Sequence, residues 1–205
     1  MIAVGLMLLA LAGGVVYQQQ VQTDPMPLAT SYVFEQQRAL APFTLADQYG
    51  NAFTNQTLQG KWSLFFIGYT ACPDVCPTTL NKLTAAYPQL QKIASNVQVV
   101  FVSADPKRDT QTKRLDYINF FNKDFKAVSA EHADLLPFSR DLGFAYAMVG
   151  DNNDYQVDHS ASYVLVSPRA EKIAVFKTKS QPGQLPQILN AELIADFGQI
   201  VQSWH

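Results

Sequence analysis

The hydrophobic pattern changes period several times along the chain, and each change predicts a different element. Residues 1–17 (MIAVGLMLLALAGGVVY) carry no charged side chain; the first acidic residue is Asp24 and the first basic one Arg38. This run predicts a membrane segment. At about 1.5 Å per residue it spans roughly 26 Å, short of the roughly 30 Å hydrocarbon core, so an anchor helix would recruit flanking residues or thin the bilayer. Ala10-Leu11-Ala12 offers a small-residue cleavage site and keeps a cleaved signal peptide open, although no basic region precedes it and no cysteine is present for lipid attachment. The lack of Arg and Lys argues against a mitochondrial transit peptide and leaves the positive-inside rule nothing to count. From Gln18 to Gln37 the chain is polar, with Pro25 and Pro27, and reads as a tether.

Beyond the tether the periods become those of a folded domain. Phe43-Thr44-Leu45 and Ala52-Phe53-Thr54, parted by a Gly-containing turn, predict a hairpin. Trp62 to Gly68 (WSLFFIG) is a continuous apolar run, as in a central strand buried on both faces. Leu80, Leu83, Tyr87 and Leu90 recur at helical spacing, with Pro88 expected to kink or break the helix, and Val97 to Val102 supplies a second buried strand. A helix over 110–121, capped by Asp109 or Thr110, and another over 131–142 follow. Then come a strand over 145–149, a tight turn over 150–154, a hairpin of 162–167 with 172–177 over Pro168-Arg169, and a closing amphipathic helix through Leu185, Ile188, Leu189, Leu193 and Phe197. This order predicts an α/β three-layer sandwich with a mixed central sheet.

Composition narrows the picture further. At 205 residues and 22.7 kDa the chain is one domain plus an appendage. Its 48% hydrophobic and 16% charged content excludes a disordered or coiled-coil chain. Fifteen basic against seventeen acidic residues give a net charge of -2, which removes electrostatic support for a nucleic-acid partner. Two cysteines are too few for a disulfide framework, and their closeness marks a site.

Cys72 and Cys76 lie where a buried strand feeds a helix. The helix N-terminus favours negative charge, so a thiolate there is stabilised, and thiolate is the reactive and ligating form. Four residues apart on a helical turn, the two would share a face and approach one soft cation or form one disulfide. Core filling is the bland alternative, and the flanking Pro73, Asp74 and Pro77 speak against it. His159, in a loop ahead of the strand from Tyr163, could complete an S,S,N site; spacing alone also allows a surface or hydrogen-bonding histidine. Three candidates suit Cu(I), which accepts low coordination, better than Zn(II), which usually wants four ligands. Asp105-Pro106-Lys107-Arg108-Asp109-Thr110 reads as a turn and helix cap, or as a ligand loop. Asp74 and Asp158 could tune charge or the histidine tautomer. His132 reads as a solvated or capping residue and His205 as a chain-end residue, neither with a role; the scattered Met1, Met7, Met26 and Met148 form no copper relay.

Three blocks, Gly68-Tyr69-Thr70-x-Cys72-Pro73-Asp74-Val75-Cys76-Pro77, Asp105-Pro106-x-Arg108-Asp109-Thr110 and Val157-Asp158-His159-Ser160-Ala161, resemble in sequence and order the signature blocks of the SCO/SenC copper chaperones. The resemblance covers about Leu40 to Phe197. It implies a thioredoxin-like domain that binds copper through Cys72, Cys76 and His159, as Cu(I) with Cu(II) left open, and delivers it to cytochrome c oxidase subunit II for the dinuclear copper site. It further implies a copper donor, a thiol reductant that keeps both cysteines reduced, and a single-pass anchor in the bacterial inner membrane with the domain in the periplasm, or the equivalent intermembrane-space placement. The resulting division is 1–17 anchor or signal segment, 18–37 linker and 38–205 copper-binding domain. Two departures from the family pattern stand out: Ser167-Pro168-Arg169-Ala170 replaces a common Asp-Pro-x-Gly turn, and the membrane segment lacks flanking basic residues. The alternative function is a membrane-tethered thiol-disulfide oxidoreductase acting on the copper acceptor, with Cys72 and Cys76 as the redox pair and no need for the histidine. A peroxiredoxin-like peroxidase would share the fold but calls for a single peroxidatic thiol in its own setting.

Overall fold

The computed structural model describes residues 27–151, 154–179 and 186–204. The proposed membrane segment, 1–17, and the tether up to residue 26 lie outside the described residues. Among the described residues no helix is long and apolar enough to cross a membrane.

Ten strands and five helices follow one another along the described chain. They are β1 (Ser31–Ala39), β2 (Thr44–Ala46), β3 (Ala52–Thr54), α1 (Asn55–Leu58), β4 (Trp62–Gly68), α2 (Val75–Ile93), β5 (Val97–Ser103) and α3 (Gln111–Phe121). After these come β6 (Lys126–Val128), α4 (His132–Leu142), β7 (Tyr146–Asp151), β8 (Asp154–His159), β9 (Tyr163–Val166), β10 (Glu171–Phe176) and α5 (Asn190–Ser203). A six-stranded sheet runs β1-β10-β9-β4-β5-β6, with β4, β5 and β6 parallel and the other neighbours antiparallel. This is the expected mixed sheet, and β4 and β5, the two continuous apolar runs, are buried at every residue.

Successive side chains of β4 point to opposite faces, and the aromatic contacts show what covers each. Phe65 meets Phe53 and, at 5.9 Å between ring centroids, Phe138 of α4. Phe66 meets Phe101 and Tyr163 on the other face, where Trp62 packs on Phe197 of α5 and α5 contacts α2. Helices therefore cover both faces, as a three-layer sandwich requires. The β2–β3 hairpin forms as expected around Asp47, whose Oδ1 accepts the amides of Tyr49 and Asn51.

Four expectations are revised. Pro88 does not break α2, because Leu83, Ala86, Tyr87 and Leu90 are buried around it, and that burial outweighs the roughly 3 kcal/mol cost of an interior proline. Residues 31–37 of the stretch read as a tether form strand β1 on the sheet edge. They are pinned there by Asp196, whose carboxylate accepts the backbone N–H groups of Ala29, Thr30 and Ser31 at 2.8–2.9 Å. Of the turn read over 150–154, Gly150 and Asp151 belong to β7 and Asp154 opens strand β8, the two paired in a two-stranded sheet of their own, and residues 152–153 lie outside the described residues. The closing helix starts at Asn190 rather than near Leu185, which lies outside the described residues.

The turn that departs from the family pattern is also explained. Ala170 takes a left-handed φ of 59°, the conformation for which glycine is favoured. The Ser167 hydroxyl accepts from Arg169 N and Glu171 N, and so does the work of an Asp at that position.

Candidate metal centre

The site forms at the C-terminal end of β4, where the chain leaves the core. Gly68 ends the strand, Tyr69 is still buried, and a turn closed by Cys72 N–H to Tyr69 O at 3.2 Å brings Cys72 to the mouth of α2. The two cysteines do not both sit on the helix as the spacing suggested: Cys72 precedes it, and Cys76 is its second residue. Asp74 is the N-cap residue but makes no side-chain cap bond; instead the Cys72 sulfur accepts the Cys76 N–H at 3.4 Å. A sulfur thus occupies an anion position at a helix N-terminus.

His159 reaches the same point from the last residue of β8 rather than from a loop, across the ladder from Tyr146. Its Nδ1–H donates to the Ser160 carbonyl at 3.1 Å, which leaves Nε2 with a free lone pair 3.4 Å from Cys76 Sγ. The tautomer is therefore set by Ser160, not by Asp158, which is exposed. Phe66 and Tyr69 wall the ring edge-on at 6.2 and 6.1 Å. Cys72 Sγ, Cys76 Sγ and a His159 ring nitrogen all lie within 4.8 Å of one another, and among the described residues no fourth His, Cys or carboxylate joins them. Cys72 and His159 line a cleft of about 320 Å³ with Tyr69, Pro73 and Val157, and Cys76 lies buried beneath it.

The two thiols differ in kind. The hydrogen bond from Cys76 pulls the Cys72 thiol well below the ordinary thiol range against its partial burial, with His159 and the backbone of Cys76 and Asp74 adding to the effect. Cys76, fully buried, is pushed far up by the same interaction and by its burial. Cys72 is therefore the thiol that gives up its proton readily and Cys76 the one that keeps it. Two soft sulfurs and one imidazole nitrogen, with no fourth such ligand among the described residues, are a donor set that could hold a soft closed-shell cation.

The SCO1/SenC family model matches residues 33–193. The chain belongs to the SCO1/SenC family. It is 33% identical over 153 residues to an SCO2-like protein of Rickettsia conorii, covering 73% of this chain and 75% of that relative. Arabidopsis thaliana ScoI, solved with copper bound, is similar at 28% identity and a TM-score of 0.68, covering 80% of this chain and 98% of that one. Bradyrhizobium japonicum ScoI, also solved with copper bound, is similar at 30% identity and a TM-score of 0.64, covering 78% and 97%.

In this SCO1/SenC chain the middle block, Asp105 to Thr110, is more than a turn. Thr110 caps α3 as expected, its hydroxyl accepting from Lys113 N. Asp109, fully buried, accepts Thr70 N at 2.9 Å, the Thr70 hydroxyl and the Ser103 hydroxyl both at 2.6 Å, and so ties the cysteine turn to α3. Asp105, also fully buried, pairs with Arg108 Nε and accepts the Tyr155 hydroxyl at 2.7 Å. Neither Asp105 nor Asp109 belongs to the candidate ligand group. The signal that could have found β8 is the alternation of Tyr155 and Val157 with Asp154, Gln156 and Asp158. His132 lies apart from the thiols, its ring stacked on Tyr146 with Nδ1 3.0 Å from the Tyr146 hydroxyl. His205 lies outside the described residues.

Proposed function

We propose that this chain is a copper metallochaperone that holds Cu(I) between Cys72, Cys76 and His159 and passes it to cytochrome c oxidase subunit II during assembly of the dinuclear copper site. The observation that carries the reading is the convergence of two sulfurs and one free imidazole nitrogen within 4.8 Å, with no fourth ligand among the described residues. The copper-bound ScoI structures support the choice of metal. Copper is cargo here: it is released when an acceptor's ligands replace the three one at a time, and no covalent bond is made in the acceptor. The 1–17 segment tethers the domain to the bacterial inner membrane on the periplasmic side, where a copper donor loads it and a thiol reductant keeps both cysteines reduced.

Native mass spectrometry of the reduced chain after Cu(I) addition tests this. One copper per wild-type chain is expected, with loss in Cys72→Ser, Cys76→Ser and His159→Ala; unchanged copper in all three variants overturns the reading. The asymmetry between a partly exposed, acidic Cys72 and a buried Cys76 also favours a second reading, a thiol-disulfide reductase in which Cys72 attacks and Cys76 resolves. His159→Ala separates the two, since reductase activity would survive it and copper retention would not.

A further inference from the structure

The histidine rides on a two-stranded ribbon. β8 pairs only with β7, outside the six-stranded sheet, and an isolated two-stranded hairpin is marginal in water. Something else must hold His159 Nε2 beside the sulfurs, and Arg108 is placed to do so. Its Nη1 donates to the Tyr155 carbonyl at 2.8 Å, and its guanidinium carbon lies 3.7 Å from the centroid of the Tyr155 ring. Its Nε is taken by Asp105, whose other oxygen accepts the Tyr155 hydroxyl at 2.7 Å. Both atoms of Asp105 are thereby engaged, and Tyr155 is gripped at backbone, ring and hydroxyl. Tyr155, Val157 and His159 lie on one face of β8, and Val157 between them is buried. The same guanidinium is 5.6 Å from the Tyr69 ring, which walls the imidazole.

We infer that the Asp105–Arg108–Tyr155 clamp is the positioning device that holds His159 over the two sulfurs and so sets the nitrogen's share of metal binding. The inference rests on the copper reading and deepens it. Asp105 and Arg108 touch none of the ligand atoms; they act through β8, four residues of strand away from the imidazole. Asp109 is the matching arm on the cysteine side, so one short segment ties both halves of the site to the same helix start.

The test uses the full-length reduced chain, titrated with Cu(I) against a chromophoric Cu(I) chelator, with X-ray absorption to count nitrogen donors. Arg108→Met and Tyr155→Phe should each weaken Cu(I) binding by about tenfold, the lower end of effects seen when a partner orienting a ligand is removed, and should lower the nitrogen count while both sulfurs stay. In a His159→Ala background the same substitutions should change the affinity no further. Unchanged affinity in the single variants, or an equal loss in both backgrounds, overturns the clamp. Hydrogen exchange on the metal-free chain gives a second arm, independent of copper. In Tyr155→Phe, which removes only a hydroxyl and is expected to fold, β7 and β8 amides should lose protection while those of β4 and β9 keep it, and unchanged protection in the hairpin overturns the clamp. A wild type that takes no Cu(I) while the exchange result holds would instead remove the copper reading.

Discussion

A β-carbon built on Gly68 would lie 2.6 Å from the Cys76 sulfur and 3.0 Å from the Phe101 ring. The last residue of β4 has no side chain because the thiol fills that space. Gly68→Ala should therefore overpack the site and cost about 1–3 kcal/mol of stability in chemical denaturation. Adding Cys76→Ala removes the overlap, so the double variant should be less destabilised than the sum of the two singles. Simple additivity would show that Gly68 and Cys76 do not compete for space.

The unequal thiols predict the proton count of metal loading. Near neutral pH Cys72, its affinity for a proton lowered, is already a thiolate, whereas Cys76, its affinity raised, still carries a proton. Cu(I) must displace that one proton to gain the second sulfur. Titration in weakly buffered solution at neutral pH should register about one proton released per ion from the thiols. Two protons released at neutral pH would contradict the assignment.

The same contrast should be visible to an alkylating agent. Cys72 is partly exposed and acidic, and Cys76 is buried, so iodoacetamide should modify Cys72 first in the folded, reduced chain. Peptide mass mapping checks the order; Cys76 should react only after denaturant is added. The rate at Cys72 should stay high well below the pH at which an ordinary thiol stops reacting.

Asp196 predicts an acid-sensitive edge of the fold. Burial alone would raise its pKa, but the backbone N–H groups of Ala29, Thr30 and Ser31, with the Ser31 hydroxyl, overcome that and hold the carboxyl below its ordinary range. A group depressed in the folded state stabilises above its unfolded pKa, and that stability disappears as pH falls through the folded one. Asp196→Ala should cost about 1–3 kcal/mol near neutral pH by leaving these donors unpaired, and the gap between variant and wild type should narrow in acid. Urea denaturation at several pH values measures it, with equal gaps at all pH as the contrary result.

Much of the frame is legible in the residue pattern, because burial on both faces leaves an unmistakable trace. Trp62–Gly68 and Val97–Ser103 are continuous apolar runs and become β4 and β5. The position of Cys72 and Cys76 between strand and helix is equally plain. β1 is not legible: seven of its nine residues, Tyr32, Val33 and the five from Glu35 to Ala39, are exposed, and it is held by Asp196, 165 residues from Ser31. β8 is hidden by the turn-forming run ahead of it, although Tyr155 and Val157 alternate correctly. The Arg108–Tyr155 contact spans 47 residues of sequence and depends on tertiary placement, which no local period encodes.

The attachment of the three donors is unequal. Cys76 is welded to the interior through α2 and packed under Gly68, and Cys72 is bound to it by the amide of Cys76 itself, whereas the imidazole belongs to a separate ribbon. Two donors are thus fixed by the core itself, and the third is only as well placed as the contacts that hold its ribbon, so a change confined to β7–β8 would displace the nitrogen and leave both sulfurs where they are.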